Sequence, residues 1–511
     1  MSLLPTLNLT FEMTDVLVTL ERNGLRINRL TLQEIKEEFE QEHQEIEQRL
    51  EEIIREVMGD TPIKLSSPDD RSKLVYSREV LNKNQWKTTF NIGSEWKGAT
   101  KRKKRHTEMT QKQFRATVSR MTRVLHRTEA TRCQACDGVG KVRHVKKDGT
   151  PYKGLSKCYE CDSTGLIYKN HKKIAGLKLI PPSAPTASAN GFSTSSETLL
   201  PILPTLEGIS REFITKLLRF NSITTYLSNY VAGIERGLDG DGIVHPSFNQ
   251  GVTATGRLSS SKPNFHNMPR ERTFPIRKCV VSRFPGGKIL DGDFSQLEFR
   301  VAGFLAQDKV IYEDVYDGVD VHQVTADVMG VSRQDAKADT FKPLYGGTTG
   351  SEAQKRYYAE FKRKYFAVAQ WHEELGEEVL ATGKMVLPSG REYMYPGVKR
   401  MPWGTVSHAT TIKNYPVQGF ATADLVPCAC VALHRMMKEK QVKSLFINTV
   451  HDNLVIDVHP DEVKELTEML KCAMLSIADE TKKRYGIEYD MPIGIEVKLG
   501  DNWMEMETIY E

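Results

Sequence analysis

The sequence lacks any run of about 18 apolar residues, and this absence argues against a transmembrane helix. Its first residues show neither a basic start nor a long apolar stretch, so we expect no secretory signal. Only 8 cysteines occur in 511 residues, which is too few for a disulfide scaffold and predicts a reducing compartment, the cytoplasm. Apolar residues still make up 39% of the chain, enough for large cores in roughly three to four domains.

Negative charge is scarce in one segment. Between Lys97 and Lys173 the chain has 21 Lys and Arg residues against 6 Asp and Glu, a local net charge of +15. The whole chain carries +5, so the remainder carries −10. This asymmetry indicates a polyanion partner at the basic segment, and a solvated basic loop is the alternative interpretation.

Composition and periodicity divide the chain. Apolar residues at three- to four-residue steps predict helix over 10–60, and Ser66–Asp70 predicts the start of another helix. Residues 80–180 differ in composition, since they hold the basic run Lys101–His106 and four of the 8 cysteines. They end in Pro181–Ser188, a linker by its composition. We therefore interpret 80–180 as an insertion into a larger body.

Two Cys-x-x-Cys pairs, separated by 21 residues, predict a zinc site with the ligands Cys133, Cys136, Cys158 and Cys161. Glycines in the turn after each pair allow backbone amides to face the sulfurs. Because four thiolates leave no position open for water, we expect one structural Zn²⁺; a redox or disulfide pair is the alternative. The other cysteines lack a paired spacing and are predicted to lie in the core: Cys279, Cys428, Cys430 and Cys472.

Two aspartates in the second half are candidates for a divalent-cation site. Asp293 follows an apolar run at the expected end of a strand, and Asp452 lies between two apolar runs, as at the turn of a hairpin. Two aspartates from separate strands can hold two Mg²⁺ ions about 3.5–4 Å apart for in-line phosphoryl transfer. Each acid alone is a weak signal, because most acidic strand ends are simply solvated.

A third pattern places two cations and two aromatics at four-residue steps: Arg333, Lys337, Phe341 and Tyr345. Each step turns about 400° on an α-helix, so the four side chains would form one stripe about 18 Å long. Cations can grip a triphosphate, and an aromatic ring can stack on a base. An amphipathic helix with chance charges is the alternative.

Together these segments resemble the polymerase motifs of family A DNA polymerases, the bacterial DNA polymerase I group, in the same order along the chain. The matching segments are Asp293-x-Ser-Gln-x-Glu298-x-Arg, Arg333-x3-Lys337-x3-Phe341-x3-Tyr345-Gly346, His451-Asp452, Thr253–Ser260, Pro263-Asn264, Asn267–Pro269 and Asn414–Gly419. The resemblance covers about residues 10–79 and 190–505 and leaves 80–180 unmatched.

The resemblance implies an α+β right-hand polymerase fold of palm, fingers and thumb, interrupted by a zinc-binding insertion with four cysteine ligands. The implied parts are the N-terminal thumb (1–79), the basic zinc-binding insertion (80–180), a linker with the C-terminal thumb (181–245), the first part of the palm (246–306), the fingers (307–400) and the second part of the palm (401–511).

The implied activity is template-directed DNA synthesis by two-metal phosphoryl transfer, with dNTPs and primer–template DNA as partners. Asp293 and Asp452 would bind two catalytic Mg²⁺, and Lys337 would protonate the departing pyrophosphate. Glu298 would crowd a 2′-hydroxyl. The substrate-binding residues implied are Arg333, His322, Phe341, Tyr345, Glu298 and Gln296. The DNA-binding residues implied are Arg257, Asn414, Gln418 and His451.

Three positions depart from the family pattern. Asn453 stands where the family usually has Glu, and Thr410 where it usually has Arg. Pro343 lies inside the expected fingers helix and should kink it before Tyr345, which predicts altered template-base selection or fidelity.

The position of the matching region carries further expectations. Only about ten residues precede it, where the family has its proofreading domain, so we expect no exonuclease activity on this chain. A viral replication polymerase in the cytoplasm of a bacterial host fits that pattern. The insertion would act as a processivity clamp on duplex DNA, as a docking site for a replication protein, or as a stability module.

Two other functions compete with DNA synthesis. A single-subunit RNA polymerase could use the same hand-shaped fold, but Glu298 and Gly256-Arg257 argue against it. A non-catalytic nucleic-acid-binding scaffold is opposed by the presence of both aspartates, Asp293 and Asp452, beside the two phosphate-binding cations.

Overall fold

The computed structural model describes residues 4–90, 110–151, 153–181, 187–188, 191–269, 273–347, 350–402 and 404–511. Helices and strands are both present, in agreement with the predicted mixed fold class. The chain divides into two compact units. Unit 1 comprises Met1–Glu37 and Tyr226–Glu511, and unit 2 comprises Glu38–Thr225.

The α-helices, in chain order, are α1 (Leu4–Asn23), α2 (Arg29–Met58), α3 (Pro68–Tyr76), α4 (Lys83–Thr89), α5 (Gln111–Met121), α6 (Ser196–Leu199), α7 (Gly208–Tyr226), α8 (Ala232–Gly237), α9 (Leu297–Ala306), α10 (Lys309–Tyr316), α11 (Val321–Met329), α12 (Arg333–Thr340), α13 (Glu352–Lys364), α14 (Phe366–Thr382), α15 (Ala409–Gly419), α16 (Val426–Lys440), α17 (Val463–Leu475) and α18 (Ile477–Tyr485). Short 3₁₀ helices include Ile276–Cys279 and Lys342–Tyr345, and a π-helical turn, Phe420–Leu425, joins α15 to α16.

The strands, in chain order, are β1 (Leu25–Arg26), β2 (Arg78–Val80), β3 (Thr122–Val124), β4 (His126–Arg132), β5 (Lys141–Val142), β6 (Ser156–Lys157), β7 (Leu166–Ile174), β8 (Ala187–Ser188), β9 (Gly191–Phe192), β10 (Ile243–Val244), β11 (Ser247–Asn249), β12 (Ser259–Ser261), β13 (Lys288–Phe294), β14 (Lys384–Val386), β15 (Glu392–Met394), β16 (Leu445–Val450), β17 (Asn453–Val458), β18 (Ile495–Gly500) and β19 (Met506–Tyr510).

Unit 1 contains a five-stranded antiparallel sheet with the order β16-β17-β13-β18-β19. The middle strand, β13, alternates as expected for a sheet with one buried face. Leu290, Gly292 and Phe294 are buried, whereas Asp291 and Asp293 on the opposite face are half-buried. Helix α17 packs on the buried face of β13, and α16 packs on α17. This packing leaves the acidic face of β13 open for chemistry.

One helical stretch, Ala409–Lys440, is long and apolar enough to cross a membrane by length and composition. The sequence did not predict such a stretch, because it has no unbroken apolar run of that length. Its most apolar window is 94% buried inside the protein. Burial of this kind is typical of a core helix, and the stretch contributes Val417, Phe420 and Leu433 to the large hydrophobic cluster of unit 1.

In unit 2, helix α2 ends beside the ribbon formed by β4 and β7. Gly59 bridges to Thr128, and the Asp60 amide donates to the Thr128 carbonyl at 2.9 Å. The backbone of Ala130 donates to the Asp60 carboxylate at 2.9 Å. The base of this ribbon is therefore fixed on the end of α2.

Several local predictions can be compared with these elements. The predicted helix start is confirmed, since Ser67 caps α3 by accepting a hydrogen bond from the Asp70 amide. The single helix predicted over 10–60 is wrong in one respect, because it is interrupted after Asn23 where β1 pairs with β10. Cys472 is exposed rather than in the core, because it lies on the outer side of α17.

Of the other predictions from the sequence, one is confirmed, one concerns residues outside the described part of the chain, and one stays a prediction. Cys279, Cys428 and Cys430 are buried as predicted. The basic run Lys101–His106 and most of the predicted linker lie outside the described residues. The assignment of palm, fingers and thumb to the predicted ranges stays a prediction.

Candidate active site and candidate metal centre

The two candidate catalytic acids lie at the same end of the sheet in unit 1, one on a strand and the other in the adjacent hairpin turn. Asp293 is the next-to-last residue of β13 and pairs with Asn453, the first residue of β17. Asp452 directly precedes Asn453, in the turn between β16 and β17. The Phe294 amide donates to the Asp452 carbonyl at 3.1 Å. The predicted strand end and the predicted hairpin are thus both confirmed, and their backbones meet where the acids lie.

The sequence favours this arrangement locally. Apolar runs form β13, β16 and β17, and the turn itself needs His451 in the left-handed region, with φ of 59°. Gly292 allows β13 to approach α17 closely. A Cβ atom there would lie 2.6 Å from Met474 Sδ and 2.9 Å from Leu470 Cδ2. Larger residues at 292 would push the acidic strand away from its supporting helix.

A glutamate on the next strand faces the same region. Glu496 on β18 is the register partner of Asp293 on β13. Its carboxylate forms an ion pair with Lys498 at 2.7 Å. Burial acts to raise the pKa of Glu496, but hydrogen bonds from Lys498 and Thr508 outweigh it, and the charges of Lys498 and Lys337 add to that effect. The pKa therefore lies below its ordinary value, which keeps the carboxylate ionised. The charge of Lys337, on α12, therefore acts on this acidic face.

Helix α12 carries the two candidate phosphate-binding cations, and the predicted stripe does not continue beyond it. Ser332 caps α12, and Arg333 and Lys337 lie on its first and second turns. The helix ends at Thr340, and Pro343 is the second residue of a separate 3₁₀ helix, Lys342–Tyr345. The predicted continuous stripe of four side chains is therefore wrong, because proline cannot donate the amide that would extend the helix. Only the two cations share the α-helix.

Residues at the start of α11 contact both ends of α12. Arg333 forms an ion pair with Asp320 at 2.6 Å, and both side chains are partly exposed. His322 Nδ1 lies 3.0 Å from Thr340 Oγ1, and its ring makes an edge contact with Phe341 at 5.2 Å between centroids. Burial is the largest cause of the lowered pKa of His322, and the charges of Arg333 and Lys337 lower it further. His322 is therefore neutral beside two cations.

Glu298 lies on α9, four residues beyond the end of β13, and is paired within the protein. Its carboxylate accepts a hydrogen bond from Arg257, whose Nε also donates to Thr422 Oγ1 at 3.1 Å. Burial raises the pKa of Glu298, and the Arg257 charge opposes that shift. Gln296 precedes α9 in the left-handed region, with φ of 52°. The pair links α9 to the π-helical turn after α15.

The remaining predicted residues lie on nearby elements. Asn414 and Gln418 are half-buried on α15, and the Gln418 carbonyl accepts a hydrogen bond from Thr422 at 2.6 Å. Tyr345 is half-buried against the main cluster of unit 1. His451 is exposed at the hairpin turn, with its ring 6.2 Å from that of His266. Every predicted substrate or DNA residue thus belongs to unit 1.

Sequence reasoning missed two residues beside the acids. Asp291 occupies the same face of β13 as Asp293, and Trp503 follows β18. Both line a cavity of about 270 Å³ together with Asp293, Asn453 and Lys498. The two-residue spacing of Asp291 from Asp293 was a usable signal, because it places both acids on one face. Nothing in the local sequence of Trp503 indicates its place.

The four predicted zinc cysteines are brought together in unit 2. Their sulfurs all lie within 4.8 Å of one another, and all four side chains are buried. Cys133 Sγ lies 3.9 Å from Cys158 Sγ, and Cys136 Sγ lies 3.6 Å from Cys161 Sγ. Tetrahedral Zn²⁺ with bonds of about 2.3 Å puts its sulfurs about 3.8 Å apart. The donor set therefore fits one Zn²⁺ and is too open for disulfide bonds.

The two cysteine knuckles repeat one local structure. The Gly140 amide donates to Cys136 Sγ, and the Gly165 amide donates to Cys161 Sγ, both at 3.2 Å. Both glycines have positive φ, and a Cβ atom at either one would lie within 2.3 Å of a carbonyl oxygen in the other knuckle. Glycine is required at both positions, as the sequence pattern predicts.

The knuckles lie at the far end of a two-stranded ribbon. Strands β4 and β7 pair from His126 with Ile174 to Arg132 with Leu166. We call residues 126–174 the cysteine arm. The buried cluster inside it consists of the four cysteines, with Val142 and Ile167 packed against them. Three exposed lysines lie on β7: Lys169, Lys172 and Lys173.

Comparisons with known proteins agree with these features. A model of the family described as DNA polymerase family A matches residues 172–505. DNA polymerase I of Geobacillus stearothermophilus is 28% identical over 337 residues, which cover 62% of this chain and 37% of that protein. DNA polymerase I of Caldicellulosiruptor bescii is 30% identical over 338 residues, covering 62% of this chain and 38% of that protein. The family match begins at residue 172, within the last residues of the cysteine arm, so the predicted resemblance of 10–79 stays a prediction.

A solved structure shows a similar fold. The POL domain of Pol1 from M. smegmatis, in complex with DNA primer-template and dNTP, matches with a TM-score of 0.62 at 18% identity. The match covers 97% of this chain and 70% of that one. At this identity the likeness concerns the fold. The part of the chain that aligns with the two curated relatives spans less than two fifths of their length.

Proposed function

Since the chain belongs to DNA polymerase family A, we propose that it is a DNA-directed DNA polymerase that adds deoxynucleotides to a primer 3′-hydroxyl. The observation that carries this proposal is that Asp293, near the end of β13, and Asp452, in the turn before β17, lie beside each other in the sheet, with the Phe294 amide bonded to the Asp452 carbonyl. Two aspartates whose backbones are held together at one end of a rigid sheet can supply carboxylate ligands for hard divalent cations.

Asp293 and Asp452 would hold two Mg²⁺ ions, and their half-buried carboxylates fit that role. When bound, such a pair supplies activation of the primer hydroxyl and stabilises charge on the transferring phosphate. The protein contributes the rigid orientation of both acids through β13, β17 and α17. Glu496, kept ionised by Lys498, adds negative charge next to Asp293.

Residues of α11 and α12 would bind the triphosphate. Arg333 is paired with Asp320, so binding a nucleotide would exchange one anionic partner for another. Neutral His322 would donate a hydrogen bond to a phosphate oxygen, and Lys337 would supply a proton to the departing pyrophosphate. The influence of Lys337 on the pKa of Glu496 supports its position near the acids.

Other proposed contacts select the sugar and hold the DNA. Glu298, held by Arg257, would crowd a 2′-hydroxyl and so favour dNTPs over NTPs. Phe341, Tyr345 and Gln296 would bind the incoming nucleotide. Near the primer terminus the proposed DNA contacts are Arg257, Asn414, Gln418 and His451.

Primer extension with Mg²⁺ tests the activity directly. The protein should extend a primer with dNTPs and much less with NTPs, and Asp452→Ala should abolish extension while DNA binding persists. Asp461→Ala is the matched control, because Asp461 is an exposed acid just after the same hairpin. Extension that survives in Asp452→Ala, or a preference for NTPs, would refute the proposal.

We propose that the cysteine arm binds one structural Zn²⁺ and grips duplex DNA, which would suit a replicative enzyme. Its support is the fit of the four sulfurs and the exposed lysines of β7. The arm can be removed cleanly, because the Ala175 amide donates to the Leu125 carbonyl at 3.0 Å and a short Gly-Ser link can join the two ends. Removal should leave single-nucleotide insertion intact but shorten products per binding event by about tenfold.

Unchanged product length would contradict the clamp. Product length that falls only when a replication protein is present would favour docking of that protein instead.

The break after α12 is proposed to influence template-base selection. In a continuous helix the backbone amide of residue 343 would donate to the Asp339 carbonyl, but Pro343 has no amide hydrogen. The Phe341 amide donates to that carbonyl instead. Pro343→Ala should extend α12 towards Tyr345 and change the misincorporation frequency by about threefold, since a longer helix shifts the ring at its end. An unchanged frequency would contradict this role.

A further inference from the structure

Asp291 is the third carboxylate of the acidic face, and it lies one pleat before Asp293. On β13 the two aspartates point to the same side, and both line the cavity that Trp503 and Lys498 also border. Asp293 pairs directly with Asn453, so Asp291 is the diagonal neighbour of Asn453 on that face. Asp291 is thus close to the turn that carries Asp452 without being part of it.

The contact between Asp291 and Asn453 is bidentate. Asn453 Nδ2 donates to Asp291 Oδ1 at 3.0 Å and to Oδ2 at 3.1 Å. The Trp503 indole Nε1 donates to Asp291 Oδ2 at 2.7 Å. Hydrogen bonds to an ionised carboxylate are shorter and stronger than bonds between neutral groups. Asp291 therefore ties the hairpin to the segment after β18.

Asn453 has no freedom to turn its amide away. Its Oδ1 accepts a hydrogen bond from the Val450 amide at 2.8 Å across the turn, and its carbonyl accepts from Thr449 Oγ1 at 2.8 Å. With the oxygen committed to the turn, the NH₂ group must face Asp291. Since Asn453 is buried and directly follows Asp452, its orientation fixes the backbone from which Asp452 projects.

We propose that Asp291 is a positioning residue of the cation site: it holds the hairpin turn that presents Asp452 against the strand that presents Asp293, and adds a third negative charge beside them. This inference rests on the proposed two-acid site. Asp291 and Asn453 then act as a pair in which one partner must be a carboxylate, to accept, and the other an amide, to donate.

Three variants test that unit: Asp291→Asn, Asn453→Asp and the double exchange. In Asp291→Asn one NH₂ group meets the Asn453 amide or the Trp503 indole, so a donor faces a donor. In Asn453→Asp two carboxylates lie about 3 Å apart, and the repulsion between their charges opposes ionisation of both. The double exchange inverts the pair and restores an acceptor for every donor.

The expected result is a pattern of loss and rescue. Each single variant should lower kcat for dNTP incorporation by about tenfold with little change in the dNTP KM, because the acids are displaced but the triphosphate site is not. The double exchange should recover to within about threefold of the unsubstituted protein. Asp501→Asn should match the unsubstituted protein, since Asp501 pairs with Lys288 at the other end of β13 and is exposed.

Binding of Mn²⁺ alone, measured by electron paramagnetic resonance without DNA or nucleotide, gives a readout independent of synthesis. Asp291→Asn should weaken Mn²⁺ binding by about tenfold, and the double exchange should restore it. Binding and kcat within twofold of the unsubstituted protein in Asp291→Asn, even with a lower Tm, would reduce Asp291 to a packing role and overturn the inference. So would a double variant no better than the worse single one.

The same measurement separates this inference from the proposed function. A variant lacking both Asp293 and Asp452 sets the background for Mn²⁺. If the unsubstituted protein binds no more Mn²⁺ than this background, the cation site and the positioning role both fail. If it binds Mn²⁺ in the predicted pattern but extends no primer, the inference stands and the proposed activity fails.

Discussion

The sheet in unit 1 and the cysteine arm in unit 2 hold their functional side chains by different means. In the sheet, β13 is fixed by pairing on both sides and by helix α17 beneath it, so Asp293 is positioned by a large apolar core. In the arm, two strands carry exposed side chains, and the buried cluster is the four cysteines themselves. The fold of the sheet is stabilised by its apolar core, independently of the acids it carries. The fold of the arm depends on the four cysteines that are its candidate metal ligands.

This difference predicts opposite responses to loss of a ligand. A two-stranded ribbon is at best marginally stable in water, so we expect the arm to need the proposed Zn²⁺ to stay folded. The sheet has its own core, so removal of one acid should damage chemistry and leave the fold unchanged.

Removal of an acid should be the most damaging change to activity. Asp452→Ala should lower kcat by about 10³-fold or more, because the proposed cation pair would lose a ligand that no neighbouring group can replace. The Tm should stay within about 2 °C, since Asp452 is half-buried in a turn rather than in the core. Primer extension and calorimetry on the same sample check both parts. A large fall in Tm would remove the contrast with the arm.

Loss of zinc should unfold the arm and spare the sheet. Structural Zn²⁺ contributes on the order of 10 kcal/mol to the folding of small zinc domains, and Cys158→Ser or chelation should remove that contribution. Proteolysis should then cut within 126–174, while single-nucleotide insertion continues. Metal content by mass spectrometry should be one Zn²⁺ per chain before chelation. Cys472→Ser is the control, because this cysteine is exposed and belongs to no cluster of the described residues.

An arm that resists proteolysis without metal would contradict the idea that its ligands hold it together.

Local signals made much of both regions predictable. The hairpin at Asp452, the strand ending near Asp293 and the four-cysteine cluster each depend on neighbours within a few residues or on a fixed spacing, and each appears in the structure. The predicted stripe beyond Thr340 was wrong because a four-residue spacing does not show where a helix ends, whereas the interruption predicted from Pro343 is confirmed, since α12 ends before it. Spacing predicts a face only while the helix continues.

Contacts over long sequence separation escaped prediction. Asp291 receives its hydrogen bonds from residues 162 and 212 positions later in the chain, and no local pattern indicates either partner. The exposure of Cys472 depends on which side of α17 packs against β13, which is likewise decided by tertiary contacts. The acids could be found from the sequence, but the groups that orient them could not.

A methyl group added beneath the acidic strand should test how rigidly the sheet is supported. Gly292→Ala places a Cβ atom against Met474 and Leu470 and should cost about 1–3 kcal/mol of the free energy of unfolding. Chemical denaturation measures this, and Gly240→Ala is the control because a Cβ atom at that position would meet nothing within 4 Å. Equal stability of both variants would show that α17 yields easily.

The smallest effect is expected from the charges of the arm. Replacing Lys169, Lys172 and Lys173 by Gln should weaken duplex binding about three- to tenfold and reduce the salt slope by about 2–3, with no change in zinc content. The control replaces three exposed lysines of unit 1 in the same way: Lys438, Lys440 and Lys443. An equal loss in both sets would mean that net charge alone, rather than the arm, attracts DNA.

The place of β13 in the sheet has a consequence for synthesis on the ribosome. Both of its neighbours come later in the chain, and β18 ends at Gly500, whereas the arm is complete at Ile174. At translation speeds of about 5–20 residues per second, roughly 16–65 s separate these two points. A nascent chain therefore contains every residue of the arm proposed to bind DNA well before the strands that flank β13 have been made, so DNA binding by the arm, if it occurs, would not have to wait for the catalytic sheet.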